Sequence, residues 1–220
     1  VDTSDAVIGS MGTYLFAIVP LIMAVVFASF GSALVPLRLA FALFFTLAAT
    51  YGAAVLIYQK KLLHSIFPWL APFDGLTYEV VPMVTGIAIA LGLDYDIFLV
   101  SRIVEFRKRG FSDRASIFRG AANAGGVISG AGIIMALAFA GLCFSDKLLM
   151  QQFGVLLIIS VFFDTYIVRT VLVPALMLIA QEGNWWPRKM PPAIHTSLEG
   201  EVEDDESSLY RPMLDDGFHP

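Results

Sequence analysis

Apolar residues in this chain come in blocks of about 20, the length at which a helix rising about 1.5 Å per residue crosses roughly 30 Å of hydrocarbon. Five blocks are readable, at residues 14–30, 37–57, 80–101, 121–144 and 148–180. Each predicts a transmembrane helix, because lipid offers backbone N–H and C=O groups no partner. The last is long enough to begin or end outside the bilayer. Composition agrees: 57% of the 220 residues are hydrophobic and 15% charged, against about half and a quarter in soluble domains. The sequence therefore predicts an all-α membrane protein, a five-helix transmembrane bundle over residues 1–189 followed by a disordered acidic tail over 190–220.

The net charge of −5 comes from that tail, since eight of the nineteen acidic residues lie between Glu199 and Asp216. The tail has too little apolar surface to form a core. Its Tyr210-Arg-Pro-Met213 has the form of a tyrosine-based sorting signal, set against the plainer reading of a solvated acidic segment. The chain opens with Val1 and without a signal-peptide pattern, which reads as a piece of something longer. The single cysteine, Cys143, has no partner for an internal disulfide.

Lys and Arg set the expected orientation. With five crossings, one side carries only Lys60, Lys61 and Lys147, while the other carries Arg38, Arg102, Arg107, Lys108, Arg109, Arg114, Arg119, Arg188 and Lys189. By the positive-inside rule the second side is cytoplasmic, and with it the C-terminus of a protein of the plasma (inner) membrane. Trp185 and Trp186 read as aromatic anchors at that interface, and residues 102–109 as a solvated basic collar. Blocks one and two form a hairpin, and residues 58–79, with Pro68, Trp69 and Pro72, suit an interfacial loop or short lateral helix.

Ionisable residues inside the blocks are candidates for function by default, because each costs a few kcal/mol or more in hydrocarbon. Asp94 lies about 21 Å down a helix that starts at Val80. Gly86, Ala90 and Asp94 share one face, whose small residues suit close approach of another helix. A carboxyl group in such a place loads and unloads a proton as its surroundings rearrange; the alternative is a permanently paired charge. Tyr95 points about 100° away from Asp94 and suits an acid on another helix. Asp96, nearer the basic end, ranks below Asp94, with snorkelling or solvation as the competing reading. Asp164 and Arg169 sit five apart, off the spacing of a helical ion pair, so their partners are expected on other helices, in a relay or a structural pairing, with Arg169 read also as a lipid-facing snorkel. Gly126 and Gly130, with Ala122, predict tight helix packing. No metal-ligand spacing, phosphate loop or nucleophile pair occurs, so neither a cofactor nor a nucleic-acid partner is expected.

The segments Gly92-Leu-Asp94-Tyr95-Asp96-Ile-Phe-Leu-Val-Ser101-Arg102, Asp164-Thr-Tyr-Ile-Val-Arg169-Thr-Val-Leu-Val-Pro174-Ala-Leu-Met177 and Asn184-Trp-Trp-Pro187 resemble the MmpL branch of the resistance-nodulation-division (RND) superfamily, over residues 11–187. The resemblance implies the last five of twelve helices, the second half of a proton-coupled exporter of lipids or other hydrophobic molecules. It further implies that Asp94 and Tyr95 are one of two Asp-Tyr proton-relay pairs, the other supplied by a missing first half or a partner chain. Membrane lipids and protons are then partners, and a second copy of the chain is a further candidate. The porter domains of that superfamily are absent, and the acidic tail is outside the resemblance. Two rivals stand beside it. One is a non-transporting sensor or structural subunit; the other is an intramembrane aspartyl protease built on Asp96 and Asp164.

Overall fold

The computed structural model describes residues 3–62 and 75–187. The expected interfacial loop centred on Pro68 and the acidic tail with its Tyr210 motif fall outside the described residues. Among those described, five helical spans are long and apolar enough to cross a membrane: Gly12–Phe30, Leu34–Gln59, Val80–Lys108, Asp113–Phe144 and Leu148–Ala180. Their outer surfaces are apolar, with Phe16, Phe44, Leu137 and Ile179 among the most exposed side chains. Such a surface suits lipid as solvent.

Helix α1 (Thr3–Phe30) turns back into α2 (Leu34–Ala54) through Gly31, whose φ of 63° is left-handed and strained for any residue with a Cβ. The hairpin expected from the sequence is therefore present. Helices α3 (Val80–Lys108) and α4 (Asp113–Ala140) both extend beyond the apolar blocks at the basic end of the bundle. The charged residues there sustain the helix instead of ending it, as Glu105 accepts from Arg102 at 2.9 Å and from Arg109 at 2.6 Å, three and four positions away. Gly110 (φ 97°) makes the turn, and the Ser112 hydroxyl caps α4 by accepting from the Ala115 N–H.

The fifth span is not one α-helix. Helix α5 (Leu148–Phe162) widens into a π-helical segment, Phe163–Leu172, before α6 (Val173–Ala180) resumes. Pro174 supplies a physical reason, since it has no N–H for the carbonyl of Thr170 and its ring crowds that carbonyl. The Thr170 hydroxyl instead donates to the Thr165 carbonyl, five residues back, at 3.0 Å.

Among the described residues three apolar clusters hold the bundle, the smallest joining α1, α2 and α3 through Val26, Val35, Leu39 and Val100. Of the two larger, one, with Leu99, Ile103, Ile117, Ile128, Val173 and Met177, lies toward the basic end, and the other, with Ile57, Val80, Val84, Phe153, Leu156 and Leu157, lies toward the opposite end. Along α2, α3 and the fifth span, the buried polar residues Thr46, Thr50, Thr85, Asp96, Asp164 and Arg169 fall between them. At the far end Gln152 ties α5 to the approach to α3, accepting from Thr77 and donating to the Gly75 carbonyl at 2.8 Å.

After α6 the chain folds back across the basic end. Asn184 donates to the carbonyls of Met177 and Gln181, and its own carbonyl accepts from buried Ser32. The Trp186 carbonyl accepts from the Ala33 N–H at 2.9 Å. Trp185, expected at the membrane interface, is instead 4% exposed and donates to Asp113 at 2.7 Å, leaving Trp186 alone on the surface. Arg107 likewise leaves the expected solvated collar, buried with its Nε on the same Asp113 oxygen at 2.8 Å. Trp185→Phe keeps the packing and removes one bond to a carboxylate, so a loss of about 1.5–3 kcal/mol is expected, read as a lowered unfolding midpoint in detergent.

Candidate functional site: a charge cluster inside the bundle

The π-helical segment creates the site. An α-helix puts residues five apart on different faces, but the wider turns of a π-helix bring them nearly into register. Asp164 and Arg169 therefore pair directly, contrary to the expectation that each would seek another helix. Arg169 donates through Nε at 2.8 Å and through Nη2 to the same Asp164 oxygen, and through Nη2 also to the Gly92 carbonyl on α3 at 2.8 Å. Thr46 of α2 lies beside the Asp164 carboxylate, its own hydroxyl donating to the Ala42 carbonyl at 3.1 Å. Arg169 is 3% exposed, so it is no lipid-facing snorkel.

Asp96 joins the cluster rather than facing solvent. It is 4% exposed, with one oxygen 3.8 Å from Arg169 Nη1 and the other 3.9 Å from Arg38 Nη2. Two cations and two carboxylates thus share the interior of the bundle, formally balanced, which limits the cost of burying them. The geometry is incomplete, however: all three Arg38 nitrogens, Arg169 Nη1 and the Asp96 oxygen nearest Arg38 are buried and, among the described residues, without a hydrogen-bond partner. Arg169 pairs with both Asp96 and Asp164, whereas an aspartyl protease needs two carboxyl groups that share one proton.

Asp94 and Tyr95 diverge as their neighbouring positions require. Tyr95 turns inward, its ring under the Arg169 guanidinium at 4.9 Å and its hydroxyl donating to Met135 Sδ at 2.9 Å. With Asp164 and Thr165 it lines a pocket of about 10 Å³, close to the size of one water. Asp94 turns outward and is exposed on the surface of the five-helix bundle. Gly86 and Ala90 of its face are exposed as well, and a methyl group at Gly86 would meet nothing within 4 Å.

The small residues of α4 divide in the same way. Gly126 and Gly130, expected to pack, have open space around them, whereas Gly120 abuts Ile103 and Gly132 abuts Thr165. Ser116, Gly120, Ala124, Ile128 and Gly132 form the buried stripe at intervals of four. The sequence offers several such stripes on α4, and spacing alone does not rank them. Arg38 and Thr46 were also not legible as site residues: a cation at the start of an apolar block reads as a topology signal, and a lone threonine carries none.

Comparison with known proteins agrees with the family resemblance. The model of the MMPL family matches residues 1–195. The trehalose monomycolate exporter MmpL3 of Mycolicibacterium smegmatis is 34% identical over 170 residues, covering 74% of this chain and 16% of that protein. The mycolic acid-containing lipids exporter MmpL11 of the same organism is 34% identical over 142 residues, 64% of this chain and 15% of that protein. Membrane protein YdfJ of Bacillus subtilis is 30% identical over 187 residues, 84% of this chain and 26% of that protein. The chain thus spans well under a third of the length of these curated relatives.

Proposed function

The chain belongs to the MMPL family, and we propose on that premise that it is the second membrane half of a proton-driven exporter of lipids or other hydrophobic molecules. The basic end would face the cytoplasm, as its Arg and Lys residues favour. The observation that carries the proposal is the divergence of Asp94 and Tyr95 about the charge cluster. An acid exposed at mid-span, on a face bared of bulk by Gly86 and Ala90, is costly against lipid and calls for a complementary helical surface. Tyr95 meanwhile connects that face to Arg169 and Asp164 within the bundle.

In this reading Asp94 takes up a proton at the junction with a complementary half, and the loss of its charge changes what that junction binds. Two relatives carry cargo names, trehalose monomycolate and mycolic acid-containing lipids, which supports a lipid-like cargo here. Arg169, with Asp164, holds the Tyr95 ring and balances charge as the proton moves.

The test is proton-coupled flux by the full transporter reconstituted in vesicles under an imposed pH gradient. Asp94→Asn removes the titrating group with little change of shape. Flux is expected to fall by about 10²-fold or more, the scale of a lost acid-base group. Tyr95→Phe is expected to slow it as well. Unchanged flux in Asp94→Asn would sink the relay.

A further inference from the structure

The unsatisfied half of the cluster faces the basic end, and Arg38 is its outermost member. Arg38 is the fifth residue of α2, at the end where the helix leaves the membrane. On its inner side lies Asp96, in surroundings of Val26, Val35, Leu39 and Val100 that leave no space for water. On its outer side lies a groove of about 550 Å³ between α2 and α6, lined by Leu37, Phe41, Leu176 and Ile179, with Arg38 itself in the wall. Arg38 thus separates a dry carboxylate from an open groove.

We propose that Arg38 is the gate through which a proton on Asp96 leaves the bundle toward the cytoplasm. The inference rests on the proton-driven transport proposed above and adds a second acid, Asp96, to Asp94.

The argument is electrostatic. The groups facing Asp96 are Arg169 and Asp164 from the π-helical segment and Arg38 from α2. Arg169 is already held by Asp164 through two nitrogens, so Asp96 is the counter-charge of Arg38. When a proton binds the Asp96 carboxylate, Arg38 becomes a buried cation without compensation, which is strongly unfavourable. Its long side chain has somewhere to go: into the groove and out to the headgroup region, as arginines near helix ends do. Its departure admits water to Asp96, the proton passes to that water, and the restored carboxylate draws Arg38 back. The 3.8 and 3.9 Å separations suit such a gate, within ion-pair range but without the hydrogen bonds that would lock it.

A membrane-impermeant, water-soluble carbodiimide, which modifies carboxyl groups, tests this from the cytoplasmic face of inside-out vesicles containing the full transporter, with label at Asp96 read by mass spectrometry. A closed gate opens as a minor state, at roughly 0.1–10%, so Arg38→Ala should raise labelling of Asp96 by about tenfold or more, while Arg38→Lys should remain protected. Ala40→Phe, which fills the groove without touching charge, should keep Asp96 unlabelled and slow cargo flux. Labelling equal in the parent and in Arg38→Ala, or absent in both, would overturn the gate. Asp94→Asn separates the two ideas: if flux survives that change while Arg38 still controls labelling, the relay fails and the gate stands.

Discussion

Replacing Arg169 by methionine is expected to destabilise the bundle by about 3–5 kcal/mol, the cost of removing one partner of a buried ion pair. Arg169 is the hub: it donates to Asp164 and to the Gly92 carbonyl, covers the Tyr95 ring, and is the nearer cation to one oxygen of Asp96. Without it Asp164, 8% exposed, becomes a buried carboxylate stripped of its ion-pair partner. The measurement is the thermal unfolding midpoint of the purified protein in detergent, followed by size-exclusion fluorescence. The double variant Asp164→Leu with Arg169→Met removes both charges and is expected to recover much of the loss, because well-packed apolar replacements of buried pairs are often neutral. A single Arg169→Met variant as stable as the parent would mean that Asp164 has water or another partner in the membrane. Transport is expected to vanish in both variants, so recovered stability without recovered flux separates the structural role of the pair from its functional one.

Gly120→Val is the second large effect. The smallest side chain there would already place its Cβ 2.5 Å from Ile103 Cγ1 and 2.8 Å from Ile103 Cα, and the backbone atom cannot swing aside. Helices α3 and α4, the most extensively paired in the bundle, must separate. Overpacking of this kind costs about 1–3 kcal/mol even where side chains can adjust, and a backbone clash belongs at or above the top of that range. Gly126→Val, six residues along and on another face, is expected to stay within about 0.5 kcal/mol, the usual range for a surface position. The two substitutions are chemically identical, so their difference in unfolding midpoint reads the side of α4 that is covered. A loss at Gly126 as large as that at Gly120 would mean that another helix seats on the outward face, the one continuous with the complementary surface proposed for Asp94.

Trp185 shows a different limit of sequence reading. A tryptophan pair after the last apolar block is the usual mark of a membrane interface, yet only Trp186 behaves so. Trp185 is drawn inward because Asp113, the first residue of α4, offers its indole N–H a carboxylate already oriented by Arg107. That partner lies 72 positions away, and no local pattern connects the two.

What the sequence determined by itself was the solvent and hence the fold class. Blocks of apolar residues long enough to cross hydrocarbon leave the backbone only the helix, so five spans, their order and the α1–α2 hairpin follow from hydropathy and from Gly31. The membrane-embedded acids were equally legible, because a charge in an apolar block is conspicuous whatever surrounds it. Which way each acid points was decided only by the tertiary structure. Asp94 and Asp96 are two residues apart on one helix, and packing of α3 against α2 and the fifth span buries the second while leaving the first outside. The pairing of Asp164 with Arg169 depends on a change of helical pitch before Pro174, and spacing rules that assume 3.6 residues per turn cannot see it. The buried glycine stripe of α4 was one of several the sequence offered, and only the approach of Ile103 and Thr165 selects it. Periodicity constrains which residues share a face; the neighbour on that face is a long-range fact.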